Sequence, residues 1–119
     1  MLQNSLARWR QYEKRVRSST VFRGYRVKQQ KQSTSTGMRP DFFGVSRDDP
    51  RQRIVADAKY VKELTPQHVD QVRKYKGHPF YAQEGVIFVK KTTRVPEDVR
   101  EYARDSSIRI IRKRARVDF

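Results

Sequence analysis

Hydrophobic and polar positions follow strand-like patterns in five segments of the chain. The segment 85–91 is a nearly continuous apolar run, which is typical of a strand buried on both faces of a sheet. Residues 108–114 alternate between apolar and basic side chains, as an edge strand does. In chain order, the pattern predicts strands over residues 24–30, 40–45, 53–61, 85–91 and 108–114.

Three further segments have signals that are typical of helices. Thr65 and Pro66 suit an N-cap followed by a first-turn proline. Glu97 and Asp98 place negative charge where the helix dipole favours it. Together with an N-terminal segment of helical spacing, these signals predict helices over residues 5–16, 66–77 and 96–105.

The order of the elements predicts the topology of the sheet. The second and third strands are separated only by a turn, residues 46–53, so they form an antiparallel hairpin. A helix separates the third strand from the fourth, so these two strands are parallel and joined by a right-handed crossover. The expectation is one α/β domain over residues 1–119, a mixed sheet flanked by helices in the order αβββαβαβ.

Charge points to a polyanionic partner. The net charge is +15, and residues 1–39 hold ten Lys or Arg and one acid. Nucleic acid is the simplest such partner, and a solvated surface is the alternative. The basic residues expected to contact phosphates are Arg8, Arg10, Arg15, Arg17, Arg23, Arg26, Lys28, Lys31 and Arg39.

Composition excludes several other classes of protein. No apolar run approaches the length of a transmembrane helix, and no basic helix has the broad apolar face of a membrane-surface segment. The chain has no cysteine, which excludes a disulfide framework and any Cys-ligated metal centre. This composition is compatible with a reducing interior, and we expect a cytoplasmic protein that binds DNA and no membrane.

Two charged residues interrupt the third predicted strand, "IVADAKYV", at residues 54–61. Strand periodicity places Asp57 and Lys59 on one face, and the hairpin brings Asp41 beside Asp57 from the partner strand. Two adjacent carboxylates repel each other unless a cation lies between them, and hard oxygen ligands suit Mg²⁺ or Mn²⁺. The alternative is a structural Asp–Lys pair. Among the ten lysines, only Lys59 has an acid two residues before it, which favours the metal site.

Two helices offer further polar candidates. Glu13 lies on the apolar stripe formed by Leu6, Trp9 and Val16, so it faces the site, pairs with an arginine or borders solvent. Gln71 and Tyr75 are four residues apart and share a helix face, either as an ordinary polar and apolar face or as a glutamine held at the site by the tyrosine. His68 and His78 do not have zinc-ligand spacing.

Pro40-Asp41 followed by Asp57-Ala58-Lys59 resembles the bipartite signature of the PD-(D/E)XK nuclease superfamily. The resemblance implies a restriction-endonuclease-like core, and Mg²⁺ or Mn²⁺ bound by Asp41, Asp57 and the Ala58 carbonyl. It further implies that Lys59 is the catalytic lysine and that Glu13 is an auxiliary acid. The second acid is Asp57 where the superfamily more often has glutamate.

Within the superfamily, the sequence resembles two different subfamilies. Small size, the acid Glu13 and a polar loop before Pro40 resemble the archaeal Holliday-junction resolvases, although the only glycine in that loop is Gly37. Gln71-x-x-x-Tyr75 resembles the glutamine–tyrosine motif of RecB-type exonucleases. The expected function is a Mg²⁺-dependent endonuclease acting on branched DNA, with Gln71 contributing to the site. A RecB-type exonuclease and a non-catalytic nucleic-acid-binding module remain as alternatives.

We also expect a homodimer, because a small domain that cuts two strands needs two active sites. Apolar side chains could form its interface or fill the core, and core packing is favoured for Phe42, Phe43 and Phe80.

Overall fold

The centre of the structure is a five-stranded mixed β-sheet, seen in a computed structural model that describes residues 10–12, 14–29, 39–78 and 80–113. The strands follow one another in the sheet in their chain order. They are β1 (Tyr25–Gln29), β2 (Phe42–Ser46), β3 (Arg53–Lys59), β4 (Glu84–Lys90) and β5 (Ile108–Lys113).

Strand pairing confirms the predicted hairpin and the parallel pairing of the third and fourth strands. β2 is antiparallel to both β1 and β3, whereas β3, β4 and β5 are parallel. The register sets Asp57 opposite Ile87 and Lys59 opposite Val89.

All five strands have one end at the same side of the sheet, across the strand direction. The C-terminal ends of β1, β3, β4 and β5 lie there with the N-terminal end of β2. We call it the carboxyl edge, and its strand-end residues are Gln29, Phe42, Lys59, Lys90 and Lys113.

Helices cover both faces of the sheet. Residues 10–12 and 14–17 are helical (α1), and a short 3₁₀ helix follows at Thr20–Phe22. The other two helices are α2 (Pro66–Lys76) and α3 (Glu97–Asp105), as the capping signals predicted. Buried side chains of α1 and the 3₁₀ helix pack on one face, and those of α2 and α3 pack on the other.

The N-terminus of α2 is fixed by a reciprocal capping arrangement. The Thr65 side chain accepts a hydrogen bond from the backbone of His68, and the His68 side chain accepts one from the backbone of Thr65. Val69 and Val72 are fully buried against the sheet, and Gly77 ends the helix. This anchoring determines which side of α2 faces β3.

β3 lies between two hydrophobic cores. Ile54, Ala56 and Ala58 belong to the core under α1, while Val55 belongs to the core under α2 and α3. Each fully buried Val or Ile side chain contributes about 1.5–3 kcal/mol to folding. The strand that carries Asp57 and Lys59 is therefore held from both sides.

Several predicted boundaries were wrong by one or two residues. β2 begins at Phe42, so Asp41 precedes the strand instead of lying in it, and β3 ends at Lys59. β4 ends one residue earlier than predicted, and the 3₁₀ helix was not expected. The last predicted residue of β5, Arg114, lies outside the described residues.

Phe42, Phe43 and Phe80 pack in or against the hydrophobic cores, as the sequence analysis favoured. Phe42 is fully buried, and the Phe43 and Phe80 rings lie 5.0 Å apart. Within the described ranges, no helix has the length and apolar character to cross a membrane.

Candidate active site

Two aspartate carboxylates accept backbone hydrogen bonds across the β2–β3 hairpin at the carboxyl edge. The Asp41 backbone N–H donates to Asp57 Oδ1 over 2.9 Å. The Ala58 backbone N–H donates to Asp41 Oδ2 over 2.8 Å. This reciprocal pairing brings the Asp41 and Asp57 carboxylates side by side, although Asp41 is not itself part of β2.

Lys59 lies beside this pair. Its Nζ is 3.3 Å from Asp57 Oδ2 and donates to Gln71 Oε1 over 2.5 Å. The side chain is only 18% exposed, so the amine is held in a partly dry environment. An ammonium group has three N–H donors, and in the described part of the chain only these two partners are present. One donor therefore remains for a third partner.

Gln71 and Tyr75 extend the network along α2. Gln71 Nε2 donates to Tyr75 Oη over 3.0 Å. Because the Tyr75 ring is buried, it holds this hydroxyl group, and through it Gln71, in place. The expectation that the two side chains share a face is confirmed, and that face meets β3 through Lys59.

Electrostatics at Asp57 are dominated by burial. The Asp57 side chain is 3% exposed, and loss of hydration raises the pKa of its carboxyl group. The Lys59 ammonium, the Asp41 backbone N–H and the electrostatic interaction with His68 lower this pKa. Together they do not offset the increase that burial causes. A buried carboxylate with this balance gains from a further nearby cation.

The donor set at the aspartates suits a hard divalent cation. Mg²⁺ typically takes one or two carboxylates and completes its shell with water and substrate phosphates. Asp41 and Asp57 supply two carboxylates, and the described residues contain no group of three or more His, Cys, Asp or Glu placed to hold a metal. The two carboxylates could hold such an ion, with its further ligands left to water or substrate.

The predicted phosphate contacts fall into distinct places. Arg10 and Arg17 line a groove of about 290 Å³ together with Lys14 and Gln29, between α1 and the end of β1. Arg17 also donates to the Val27 carbonyl oxygen over 3.1 Å.

The remaining predicted cations are on or near the sheet. Arg26 and Lys28 are exposed on β1, and Arg39 is exposed just before Pro40. Arg15 is half-buried, and its Nε has no hydrogen-bond partner among the described residues. The predicted residues Arg8, Glu13 and Lys31 lie outside the described residues.

A second basic surface at the carboxyl edge was missed from the sequence. Lys90 Nζ lies 4.4 Å from the centroid of the Tyr60 ring, and Lys91 beside it is exposed. Arg112 Nη1 donates to the carbonyl oxygens of Lys90, Lys91 and Thr93 and fixes the turn after β4. The signal was the paired lysines at the end of the apolar run, because parallel strands end at the same edge.

His68 was also passed over, because only its spacing for zinc was considered. It lies at the third position of α2, and the charges of Asp57 and Lys59 both act on its pKa.

Comparison with known proteins identifies the class of fold. No protein-family model and no curated protein matches the chain. A solved structure, a repair endonuclease from Pyrococcus abyssi, has a similar fold with a TM-score of 0.57 and 15% sequence identity. The match covers 81% of this chain and 41% of that structure, so the chain spans about two-fifths of its length. The fold is restriction-endonuclease-like α/β, as expected from the order of the elements.

Tyr75 provides a test of the α2 network that does not require activity. Burial, and then the negative charge of Asp57, raise the pKa of Tyr75 from 10.0 to about 12. Since the unfolded chain loses this proton first, the contribution of Tyr75 to stability is complete below pH 10 and is lost as the pH rises towards 12. The free energy of unfolding of the wild type should therefore fall more steeply above pH 10 than that of Tyr75→Phe. Urea unfolding at several pH values, with EDTA present, measures both slopes.

The matched control is Tyr81→Phe, because the Tyr81 side chain is 60% exposed. Its slope above pH 10 should equal that of the wild type. Below that pH, Tyr75→Phe should lose about 1 kcal/mol with the hydrogen bond from Gln71. Equal alkaline slopes for the wild type and Tyr75→Phe would contradict the structure of this network.

Proposed function

We propose that this protein is a divalent-metal-dependent nuclease that hydrolyses phosphodiester bonds in DNA, and that branched or structured DNA is its preferred substrate. The observation that carries the proposal is the reciprocal pairing of Asp41 and Asp57 with Lys59 beside it. The pairing occurs at one edge of a fold that a repair endonuclease shares, which supports a nuclease in general terms.

Each residue of the site has a definite part in the proposed reaction. Asp41, Asp57 and the Ala58 carbonyl would hold Mg²⁺ or Mn²⁺, which supplies Lewis-acid stabilisation of a phosphate oxygen and a more acidic water. Lys59 directs its remaining N–H donor at the attacking water or at the charge that builds up on the phosphate. As the water oxygen bonds to phosphorus, the ester P–O bond breaks, the water releases a proton and the departing oxygen takes one up.

Gln71 and Tyr75 position Lys59. The Lys59 side chain is long and flexible, and its amine would otherwise sample many rotamers. The bond to Gln71 Oε1, fixed in turn by Tyr75, limits the amine to one place next to Asp57. Such positioning lowers the entropic cost of reaching the reactive arrangement.

Basic side chains on both sides of the aspartates support DNA as the substrate. Arg10, Lys14 and Arg17 line the groove near the end of β1, and Lys90 and Lys91 lie beyond β3 at the end of β4. Five adjacent strands span roughly 19 Å, which is the length of about six nucleotides of one strand. We propose that the phosphate backbone follows the carboxyl edge between these two basic surfaces.

Exonuclease action is the second candidate, and the Gln71–Tyr75 hydrogen bond favours it through the resemblance to RecB-type domains. A non-catalytic DNA-binding module is the third. The three readings predict different responses to DNA ends and to loss of Asp57.

Replacement of Asp57 tests the nuclease directly. Purified wild type is incubated with a four-way junction, linear duplex or closed circular DNA, with Mg²⁺, with Mn²⁺ or with EDTA. We expect cleavage of the junction and of circular DNA with either metal, and none with EDTA. Asp57→Asn should lower the rate at least about 100-fold, because it removes one of the two carboxylates that would hold the metal. Lys59→Gln should lower it by a similar factor.

Asp49→Asn is the control, because Asp49 lies in the surface turn and its side chain pairs with nearby Arg51. It should cleave at the wild-type rate. Cleavage restricted to free ends would favour the exonuclease. Full cleavage by Asp57→Asn would exclude this active site, and calorimetric titration with Mn²⁺ that gives equal heats for wild type and Asp57→Asn would exclude the metal site.

Salt dependence of DNA binding tests the second basic surface. The double variant Lys90→Gln, Lys91→Gln should bind duplex DNA more weakly and lower the slope of log K against log salt by about 1–2 units, since each phosphate contact contributes about 0.9. Fluorescence anisotropy at several salt concentrations, with Ca²⁺ to prevent cleavage, measures the slope.

The control is Arg100→Gln, Arg104→Gln on α3. These residues line a cavity with the N-terminal residues of β4, away from the carboxyl edge. Their replacement removes two positive charges, as the Lys90 and Lys91 replacement does. An equal change of slope in both double variants would show a general charge effect and would contradict the proposed DNA path.

We also propose that two copies act together on a junction. Each chain has one set of Asp41, Asp57 and Lys59, whereas resolving a four-way junction requires two cuts. Sedimentation velocity at the concentration used for cleavage should give twice the chain mass of 14.2 kDa. A monomer that cuts both strands of a junction at the same rate would contradict this proposal.

A further inference from the structure

His68 is held at the start of α2 by one of its two ring nitrogens. The Thr65 backbone N–H donates to Nδ1 over 2.9 Å, and Thr65 Oγ1 lies 3.2 Å from the same atom. Because Nδ1 accepts the backbone hydrogen bond, the proton of the neutral ring is on Nε2. The ring therefore presents a fixed N–H donor.

The hydrogen bond that Nδ1 accepts requires the neutral form of the ring. Burial, followed by the nearby Lys59 ammonium, lowers the pKa of His68 below its ordinary value of 6.5, and the charge of Asp57 only partly opposes this. Nε2 is thus a donor without a net positive charge.

His68 and Gln71 lie on the same side of α2, since they are three residues apart. That side meets β3, where Gln71 binds Lys59. His68 lies about one helical turn before Gln71, so its ring is on the side of α2 that faces the candidate active site, and the charges of Lys59 and Asp57 act on it. Among the described residues, Nε2 has no hydrogen-bond partner, whereas Nδ1 is fully used.

Helix capping alone does not account for histidine at this position. The reciprocal arrangement needs only an acceptor that reaches back to the N-cap, and glutamate or glutamine does this in most such motifs. Glutamate would in addition suit the positive end of the helix dipole. What histidine adds is a second ring nitrogen, directed beyond the cap.

We propose that His68 Nε2–H donates a hydrogen bond to a non-bridging phosphate oxygen of the DNA strand bound at Asp41, Asp57 and Lys59. The inference rests on the proposed function and adds a substrate contact to it. A neutral donor suits this place, because a further full positive charge would repel Lys59, while the phosphate oxygen still gains a directed N–H.

His68→Gln separates this contact from the cap. Glutamine retains an acceptor for the Thr65 backbone N–H, but its amide N–H donors lie on a flexible side chain and not on a ring that the cap holds in one direction. We expect an unchanged free energy of unfolding and a single-turnover cleavage rate about 3- to 10-fold lower, the range for loss of one neutral hydrogen bond. His78→Gln is the control, because His78 is exposed in a turn and contacts Tyr81 Oη over 2.9 Å. It should cleave at the wild-type rate.

A scan of the substrate identifies the phosphate. Single methylphosphonates, which replace one charged oxygen with a methyl group, are placed at successive positions around the cleaved bond. With wild type, one position should lower the rate through loss of the acceptor for Nε2–H. With His68→Gln, the same position should have a smaller effect, because the two changes remove one contact and are not additive. Additive effects at every position would overturn the proposal.

Failure of this inference and failure of the proposed function give different results. If wild type cleaves and His68→Gln cleaves equally fast, the His68 contact is excluded while the nuclease stands. If wild type binds DNA without cleaving it, the affinity of His68→Gln relative to His78→Gln decides: a 3- to 10-fold loss supports the contact and equal affinities exclude it. If wild type neither cleaves nor binds DNA, both proposals fail.

Discussion

The carboxylate of Asp57 is almost completely removed from water, and the surrounding structure is arranged to compensate for this. Its partners come from separate parts of the chain: the Asp41 backbone N–H in front of β2, and the Lys59 ammonium two residues along β3. Lys59 is itself fixed by Gln71 on α2. Burial still raises the pKa of Asp57, so these contacts only partly offset the loss of hydration. Each contact requires its element to be in register.

The incomplete compensation of the buried Asp57 carboxylate points to a role other than stability. Replacing a buried ion pair by apolar side chains of similar volume is often neutral or stabilising. β3 already contributes apolar side chains to two cores, so its packing between the helices does not require a charged pair. A site that retains a buried, incompletely compensated carboxylate next to an amine is best explained by chemistry that uses both groups, and this is the physical basis of the proposed nuclease.

In the proposed function, the carboxyl edge joins that chemistry to a polyanionic substrate. The two basic surfaces lie on either side of the aspartates, and the chain carries a large excess of positive charge. The restriction-endonuclease-like fold is shared with a repair endonuclease of low sequence identity. That likeness concerns the backbone, whereas the roles proposed for Asp41, Asp57, Lys59 and His68 rest on the contacts of this chain.

Much of the fold was readable from the sequence because its signals are local. Apolar runs of strand length, the Thr65–Pro66 cap and the acids at the start of α3 predicted the elements, and their order predicted which strands are parallel. Strand ends were predicted less accurately. Whether β2 begins before or after Asp41 depends on backbone hydrogen bonds, which the apolar pattern does not record.

The site divides in the same way. Strand and helix periodicities determined that Asp57 shares a face with Lys59, and Gln71 with Tyr75. Only the tertiary structure decided that α2 delivers Gln71 to Lys59, that Lys90 lies over Tyr60 at the same edge, and that His68 has one nitrogen committed to the cap. These contacts join residues that are distant in the chain or depend on the direction of a single ring atom. Periodicity carries no information about either, because it records which face a residue occupies and not what is opposite that face.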